Sequence, residues 1–471
     1  MAYVSKNPYS NEVMAEFETL TDVEFEAKIA KAEEAFKTWK ETSFATRAQI
    51  LKKAAKLFRE RNQELAALNT KETGKLITIS LWENQMCADI FEYNAEHAAE
   101  FLAPHYLKTE DQLAGDAIGI YQPLGTIYEI EPWNVPFFQM ARPTAAQLMA
   151  GNTVVLKHSS NVPQCALAFE KLLLDAGLPE GVFQNLFVDY EQSDRLLSDP
   201  RISGVTITGS TEVGREVAAK ATHALKKNVM ELGGSDAMVV LPDADMATVI
   251  EGALLGRLTN SGQVCLADKR MLIHESLYQT FLDELTKATN ELTIGDPLEE
   301  TTSYGPLCSK KAAAKVKAQI QKAVSHGAKA TPIGPEVPAD SAWVQATLLT
   351  EVTQDNPIAK EEIFGPVFMV FSYKDEAEML ALANGTPFGL GASVYTTDPK
   401  KAAALGEKLE AGAISINQPT MASYAIPFGG IKDSGYGREM SFSGMREFTN
   451  EKYLNSAKID MQAVFENISR K

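Results

Sequence analysis

Residues 204–221 read Gly-Val-Thr-Ile-Thr-Gly-Ser-Thr-Glu-Val-Gly-Arg-Glu-Val-Ala-Ala-Lys-Ala. The β-branched run GVTIT predicts a strand, REVAAKA predicts a helix, and Gly209 to Gly214 joins them. Glycine lets a backbone turn tightly and come close to a ligand, while a helix start offers free N–H groups and a positive dipole end to phosphate. The stretch is not GxGxxG, and strand–glycine–helix turns without a ligand are common. A nucleotide site and a plain turn are both open on these residues alone.

Outward from there the alternation continues. AIGIYQPLGTIYEIE (117–131) reads as two strands broken at Pro-Leu-Gly, TVVLK (153–157) as a buried strand, and ALAFEKLLLDAG as a helix ending at Gly177. VFQNLFV is a further strand. After Leu232 the series restarts with AMVVL, the helix DMATVIEGALLGRL, RMLIH, a long helix near 277–292, FMVFS, GASVY and AISIN. Short apolar strands between amphipathic helices imply parallel sheets with crossover helices, here in two α/β lobes. The first hundred residues read as packing helices, with Phe25, Ile29, Phe36 and Trp39 at helical spacing. NEKYLNSAKI looks like a lone strand, and PFGGIKDSGYGRE (427–439) like a mobile or ligand-facing loop.

A chain of 471 residues suggests two or three domains at ~150 residues each. Its 45 Lys and Arg against 62 Asp and Glu, a net charge of -17, argue against nucleic acid or anionic membranes as partners. With 45% hydrophobic and 23% charged residues, wholesale disorder is excluded. No signal-peptide core or unbroken apolar run of about 18 residues occurs, so a cytoplasmic protein is expected. Cys87, Cys165, Cys265 and Cys308 are far apart without CxxC, and the six histidines show no metal spacing. No metal is expected.

Four more stretches carry possible chemistry. In GQVC (262–265), a cysteine follows a glycine break that ends a helix. A thiolate there is the best neutral-pH nucleophile among side chains, although a buried structural cysteine is the commoner outcome. In Met230-Glu-Leu-Gly-Gly234, a carboxylate closes an apolar strand; burial would raise its pKa toward that of a base, whereas a solvated strand end would not. In Glu129-Ile-Glu-Pro-Trp-Asn-Val-Pro136, two prolines stiffen the turn and aim the Asn134 amide, a donor suited to an oxyanion or simply a turn residue. In Glu361-Glu-Ile-Phe-Gly-Pro366, a carboxylate could hold ribose hydroxyls and Phe364 could lie against a flat ring, or the segment could be a charged helix end.

Taken together and in order, PWN, Lys157, TGSTEVG, ELGG, GQVC, EEIFGP, PFGG and SGYGRE resemble the aldehyde dehydrogenases that use NAD or NADP. The resemblance spans nearly the whole chain. It implies a Rossmann-like cofactor domain (1–103 and 125–232), an α/β catalytic domain (233–440) and a β-arm for oligomerisation (104–124 and 441–471). It implies Cys265 as the nucleophile toward the aldehyde carbon. The oxyanion would be held by the Asn134 amide and the Cys265 N–H, hydride would pass to nicotinamide, and Glu231 would activate water against the thioester. Lys157 and Ser160 would face the adenosine ribose and Gly209 with Ser210 the pyrophosphate. Glu362 would hold the nicotinamide ribose beside Phe364, with Trp133, Val213 and Leu232 completing the cofactor site.

Ser160 bears on cofactor choice. NAD-selective relatives often place Glu there, which accepts from ribose hydroxyls and repels a 2′-phosphate; a small hydroxyl beside Lys157 leaves room, charge and a donor for it. NADP is therefore expected to be preferred, with NAD allowed. Arg142, on the helix after Asn134, is similar to the arginine with which succinate-semialdehyde dehydrogenases grip their substrate's carboxylate, and Ser423 to its serine partner. An ordinary helix ion pair is the plain alternative for Arg142. Thr259 stands where some of those relatives carry a second arginine, the Leu266-Ala-Asp-Lys segment after Cys265 holds no second cysteine, and Asn450 replaces a glutamate found in many members. The expected activity is oxidation of succinate semialdehyde to succinate. The alternatives are another small aliphatic aldehyde or lactaldehyde, a cofactor-independent thioesterase, or a non-catalytic binding protein on the same fold. Unpaired edges on the arm lead to the expectation of a homodimer or homotetramer.

Overall fold

The structure, a computed structural model, describes residues 3–469. Two sheets carry the fold. The first has six strands in the spatial order Gly435–Tyr436, Lys227–Glu231, Ile202–Thr208, Thr126–Glu131, Thr153–His158, Phe183–Asn185. Its five sequential strands are parallel, and the short Gly435–Tyr436 strand joins antiparallel at one edge. The chain starts this sheet in the middle at Thr126–Glu131, moves outward, and returns to the other side at Ile202–Thr208. That reversal opens a crevice beyond the carboxyl ends of the two adjacent central strands, the usual ligand position in an open α/β sheet.

The second sheet has seven strands, in the order Lys329–Pro332, Thr347–Thr350, Val367–Tyr373, Asp268–His274, Asp236–Val240, Gly391–Tyr395, Ala413–Ile416. All neighbours are parallel except the Lys329–Pro332 edge. Both sheets are apolar on both faces, as parallel sheets covered by helices must be. In Asp236–Val240, for instance, Ala237 and Val239 enter one core while Met238 and Val240 enter the other. Helices of the first hundred residues cover the first sheet, with Phe58 meeting Phe91, Phe137 and Phe169 at centroid distances of 5.8, 6.2 and 6.0 Å.

Several sequence expectations need correction. NEKYLNSAKI does not stand alone: Thr449–Ser456 pairs antiparallel with Asp116–Pro123 along its whole length, and His105–Leu107 completes a three-stranded sheet. VFQNLFV supplies a strand only at Phe183–Asn185. Residues 427–439 do not form a mobile loop. Phe428 and Glu439 exchange backbone hydrogen bonds of 2.8 Å each, and the Ser434 hydroxyl donates to Gly233 O at 2.6 Å. The glycines there serve close packing of backbone against the first sheet rather than freedom. The helix Ser441–Glu447 contributes Met445 to the core around Phe137, and the following strand begins at Thr449.

Candidate active site

Glu231 ends a strand of the first sheet and Asp236 begins a strand of the second, so residues 232–235 cross from one to the other. The motif residues gather around this crossing. Helix Met246–Leu258 stops at Thr259, and Asn260, Ser261 and Gly262 follow with φ of 51°, 54° and 78°. Three left-handed residues in a row are costly for side chains other than glycine and persist only where surroundings hold them. Here the Ser261 hydroxyl donates to Gly305 O at 2.7 Å, and the buried Arg257 guanidinium donates to the carbonyls of Gly262, Ile363, Gly365 and Val367. Asn260 Nδ2 donates to Asn134 O at 2.8 Å. The turn that delivers Cys265 is thus bolted to the EIFGP segment and to PWN.

Asn134 closes the same circuit from the other side. Its Nδ2 donates to Gln263 O at 3.0 Å, which leaves one amide proton for a ligand. Behind it, Lys75 ion-pairs with Glu83 in the interior and donates to Asn134 O at 3.2 Å. Glu83 accepts from the N–H groups of Phe137 and Phe138 at 2.8 and 3.1 Å, capping the helix Pro136–Ala150 that follows Asn134. Sequence reasoning missed Lys75, Glu83 and Arg257. For Glu83 and Arg257 the available signal was a charge inside a partly apolar helix, whereas Lys75 stands in the link between two helices and carries no such signal.

Cys265 is half-buried, and burial pushes its thiol up to about 11. Lys269 and Arg142 pull it down, while Glu362 and Asp236 push it up. Such a thiol is protonated at neutral pH and needs a base to become a nucleophile. Glu231 is buried with neither carboxyl oxygen hydrogen-bonded among the described residues, and burial holds its pKa well above the ordinary range, with Arg142 opposing. A buried carboxyl group with a raised pKa is the kind of group that serves as a general base.

Arg142 lies deeper than the sequence reading placed it. It is fully buried, its Nε pairs with Glu439, its Nη2 donates to Thr208 Oγ1 at 2.6 Å, and Phe428 lies over it at 4.8 Å. Glu129 and Glu131 are also buried nearby, both raised well above the ordinary carboxylate range by burial. One guanidinium therefore serves several carboxyl groups. Its Nη1 has no hydrogen bond among the described residues. Ser423 sits in a loop where its hydroxyl accepts from Ala425 N–H at 3.4 Å, with no contact to Arg142 among the described residues. Thr259 bonds back to Leu255 O at 2.6 Å.

The crevice of the first sheet fits a dinucleotide. The Ser210 hydroxyl caps the helix Thr211–His223 by accepting from Val213 N–H, while Gly209 donates its N–H to Glu231 O at 3.0 Å. A Cβ at Gly209 would meet only Ile207, at an ordinary contact distance of 3.7 Å, so the backbone is left lightly covered before the helix start. Val213 projects from the first turn, 45% exposed. Lys157 is only 9% exposed, yet among the described residues it has no carboxylate partner, only the Tyr190 ring at 5.9 Å. A buried cation without an anion is expensive, and a bound phosphate resolves it. Leu232 is buried against Gly214, and Trp133 meets Phe364 edge-on at 5.9 Å. Glu362 accepts from Gly234 N–H at 3.1 Å and pairs with Lys269 at 3.3 Å. Among the described residues no cluster of metal-ligating groups occurs, and no helix is long and apolar enough to cross a membrane.

Comparison with known proteins identifies what the whole chain is similar to. The aldehyde dehydrogenase family matches residues 2–454. The succinate-semialdehyde dehydrogenase [NADP(+)] of Deinococcus radiodurans is 41% identical over 454 residues, covering 96% of this chain and 94% of that protein. The probable succinate-semialdehyde dehydrogenase [NADP(+)] of Synechocystis is also 41% identical, over 96% of this chain and 99% of its own. The crystal structure of succinic semialdehyde dehydrogenase from Streptococcus pyogenes in complex with NADP+ superimposes with a TM-score of 0.93 at 37% identity, covering 96% of this chain and 99% of that one.

Proposed function

The chain belongs to the aldehyde dehydrogenase family, and from that premise we propose that it oxidises succinate semialdehyde to succinate with NADP in preference to NAD. The observation that carries the reaction type is the circuit joining Asn134 to the turn before Cys265, which sets an amide donor beside a nucleophile. Lys157 and Ser160 would hold the 2′-phosphate and ribose, Gly209 and Ser210 the pyrophosphate, and Glu362 the nicotinamide ribose near Phe364, Trp133, Val213 and Leu232. NADP, when bound, supplies the acceptor for the hydride that leaves the tetrahedral carbon.

The protein's own residues do the rest. Glu231 takes the proton of Cys265, and the sulfur adds to the aldehyde carbon. The oxygen becomes an alkoxide, which the free amide proton of Asn134 and the N–H of Cys265 stabilise. Losing one such donor typically costs ~10²–10³ in rate. Glu231 passes the thiol's proton to solvent; once the carbon is a thioester, it takes a proton from water, whose oxygen attacks, and the acid product leaves as that proton returns to the departing thiolate. Names of relatives support a carboxylate-bearing substrate, and Arg142 Nη1 with Ser423 are its assigned partners. The engagement of Arg142 by Glu439 favours a second reading, a broader range that includes small uncharged aldehydes.

We place the protein in the cytoplasm, where the free Cys265 stays reduced. We propose a homodimer or homotetramer built on the edge of Thr449–Ser456, which carries the exposed Tyr453 and Leu454. One assay tests the activity: absorbance at 340 nm with succinate semialdehyde and with an aliphatic aldehyde, each with NADP and NAD. A specificity constant highest for succinate semialdehyde with NADP is expected. Equal constants for the uncharged aldehyde would select the broader reading, and turnover by Cys265→Ser at the parent's rate would exclude this chemistry.

A further inference from the structure

Lys269 lies on the strand Asp268–His274, four residues after Cys265, and is fully buried. An ammonium has three N–H donors, and this one has three acceptors. Nζ donates to Val264 O at 2.9 Å and to Cys265 O at 2.7 Å, and it pairs with Glu362 Oε1 at 3.3 Å. Val264 O also accepts from Ala267 N–H at 3.2 Å.

The Val264 carbonyl and the Cys265 N–H belong to one peptide unit. In a planar trans peptide the C=O and N–H point to opposite sides, so holding the oxygen on Lys269 aims the N–H away from it. A cation on the oxygen also polarises the peptide, which strengthens its N–H as a donor. That N–H has no partner among the described residues, although the turn around it is thoroughly hydrogen-bonded. The Gly234 backbone lies close against the Cys265 carbonyl, where a Cβ would stand 2.6 Å from the oxygen.

We propose that Lys269 is a positioning residue that aims and strengthens the oxyanion-binding N–H of Cys265 through the peptide it shares with Val264. This rests on Cys265 being the nucleophile. The rival role is plain neutralisation of the acids around it, Asp236, Asp268 and Glu362, which requires a charge but no particular bond to Val264 O.

Two reactions of Cys265 that require no cofactor separate these roles. Alkylation by iodoacetamide forms an S–C bond and releases iodide without any oxyanion. Acylation by p-nitrophenyl acetate passes through a tetrahedral oxyanion, forms a thioester and releases p-nitrophenolate. Loss of the Lys269 charge slows both by reducing the thiolate, and that common factor cancels in their ratio. For Lys269→Met, the ratio of acylation to alkylation is expected to fall ~10-fold, a fraction of the ~10²–10³ for deleting a donor outright. Lys269→Gln, which keeps one N–H donor and covers the case in which the methionine variant does not fold, is expected to lower the ratio by less. A ratio unchanged in a folded variant overturns the proposal even though Cys265 reacts. If the parent and Cys265→Ser react alike with both reagents, the nucleophile assignment fails, and the proposal with it.

Discussion

The two halves of the candidate site are built on opposite principles. Around Cys265 the side-chain donors are already engaged: Asn260, Ser261, Arg257 and Lys269 spend theirs on backbone carbonyls of the turn, of Asn134 and Gly305, and of residues 363–367. At the crevice of the first sheet, the polar groups wait. Among the described residues Lys157 is buried without a carboxylate, and a Cβ at Gly209 would touch only Ile207. The difference follows from what each half must do. Stabilising a charge that exists only during reaction requires donors fixed in advance, whereas binding a stable anion requires donors that have no better partner until it arrives.

The contrast breaks most sharply at Asn134. If the chemistry half is preorganised, Asn134→Ala removes both an oxyanion donor and the bond to Gln263 O. The rate of acid formation at saturating aldehyde should then fall ~10²–10³-fold, with the Kd for NADP, read by fluorescence quenching, within about twofold of the parent. A comparable loss of NADP affinity would mean that the halves are not separate. The cofactor half is sharpened by Ser160→Glu. A carboxylate beside Lys157 supplies the missing anion internally, and the ratio of specificity constants for NADP over NAD should drop ~10–100-fold, or about 1.4–2.8 kcal/mol. An unchanged ratio would remove Lys157 and Ser160 from the cofactor assignment.

The sequence shows the waiting groups better than the engaged ones. Gly209, Ser210, Asn134, Glu231 and Cys265 stand in short motifs, because loops at strand ends are local in the chain. Most of both sheets is legible for the same reason, because strands and helices largely alternate from Thr126 to Ile416; the strands Lys329–Pro332 and Thr347–Thr350, which follow one another without a helix between them, escape that pattern. What holds the loops was not. Arg257 reaches Val367, Lys75 reaches Asn134, and Arg142 reaches Glu439, contacts that only the closed fold brings together. The 427–439 segment misled because its glycines suggested freedom; Ser434 and the Phe428–Glu439 pairing hold it against Gly233 and the first sheet. The motif position of Arg142 leaves a ligand contact and an ion pair both open, and the pair with Glu439 forms through residues that are not its neighbours in the sequence.

One feature of the chemistry half runs against its tight pairing, and it gives the smallest expected effect. Asp236 and Asp268 stand opposite each other on adjacent parallel strands, both buried. Burial raises Asp236 to about 6 and, with Asp236 adding to it, Asp268 to about 7. Lys269 and Arg257 face Asp268 and pull down, Ser393 donates to it at 3.2 Å, and Arg270 pulls on Asp236 while Glu362 pushes it up. Because the folded pKa values exceed the unfolded ~4, the folded protein binds more protons between about pH 4 and 7, and stability falls as pH rises through that window. Asp268→Asn removes the titration while keeping an oxygen to accept from Ser393. The variant should match the parent near pH 4 and exceed it by roughly 1 kcal/mol or more at pH 8, read from urea midpoints at the two pH values. Parallel curves would mean that Lys269 and Arg257 already compensate the pair. The chemistry half would then be fully balanced, with Lys269 meeting charge and geometry together.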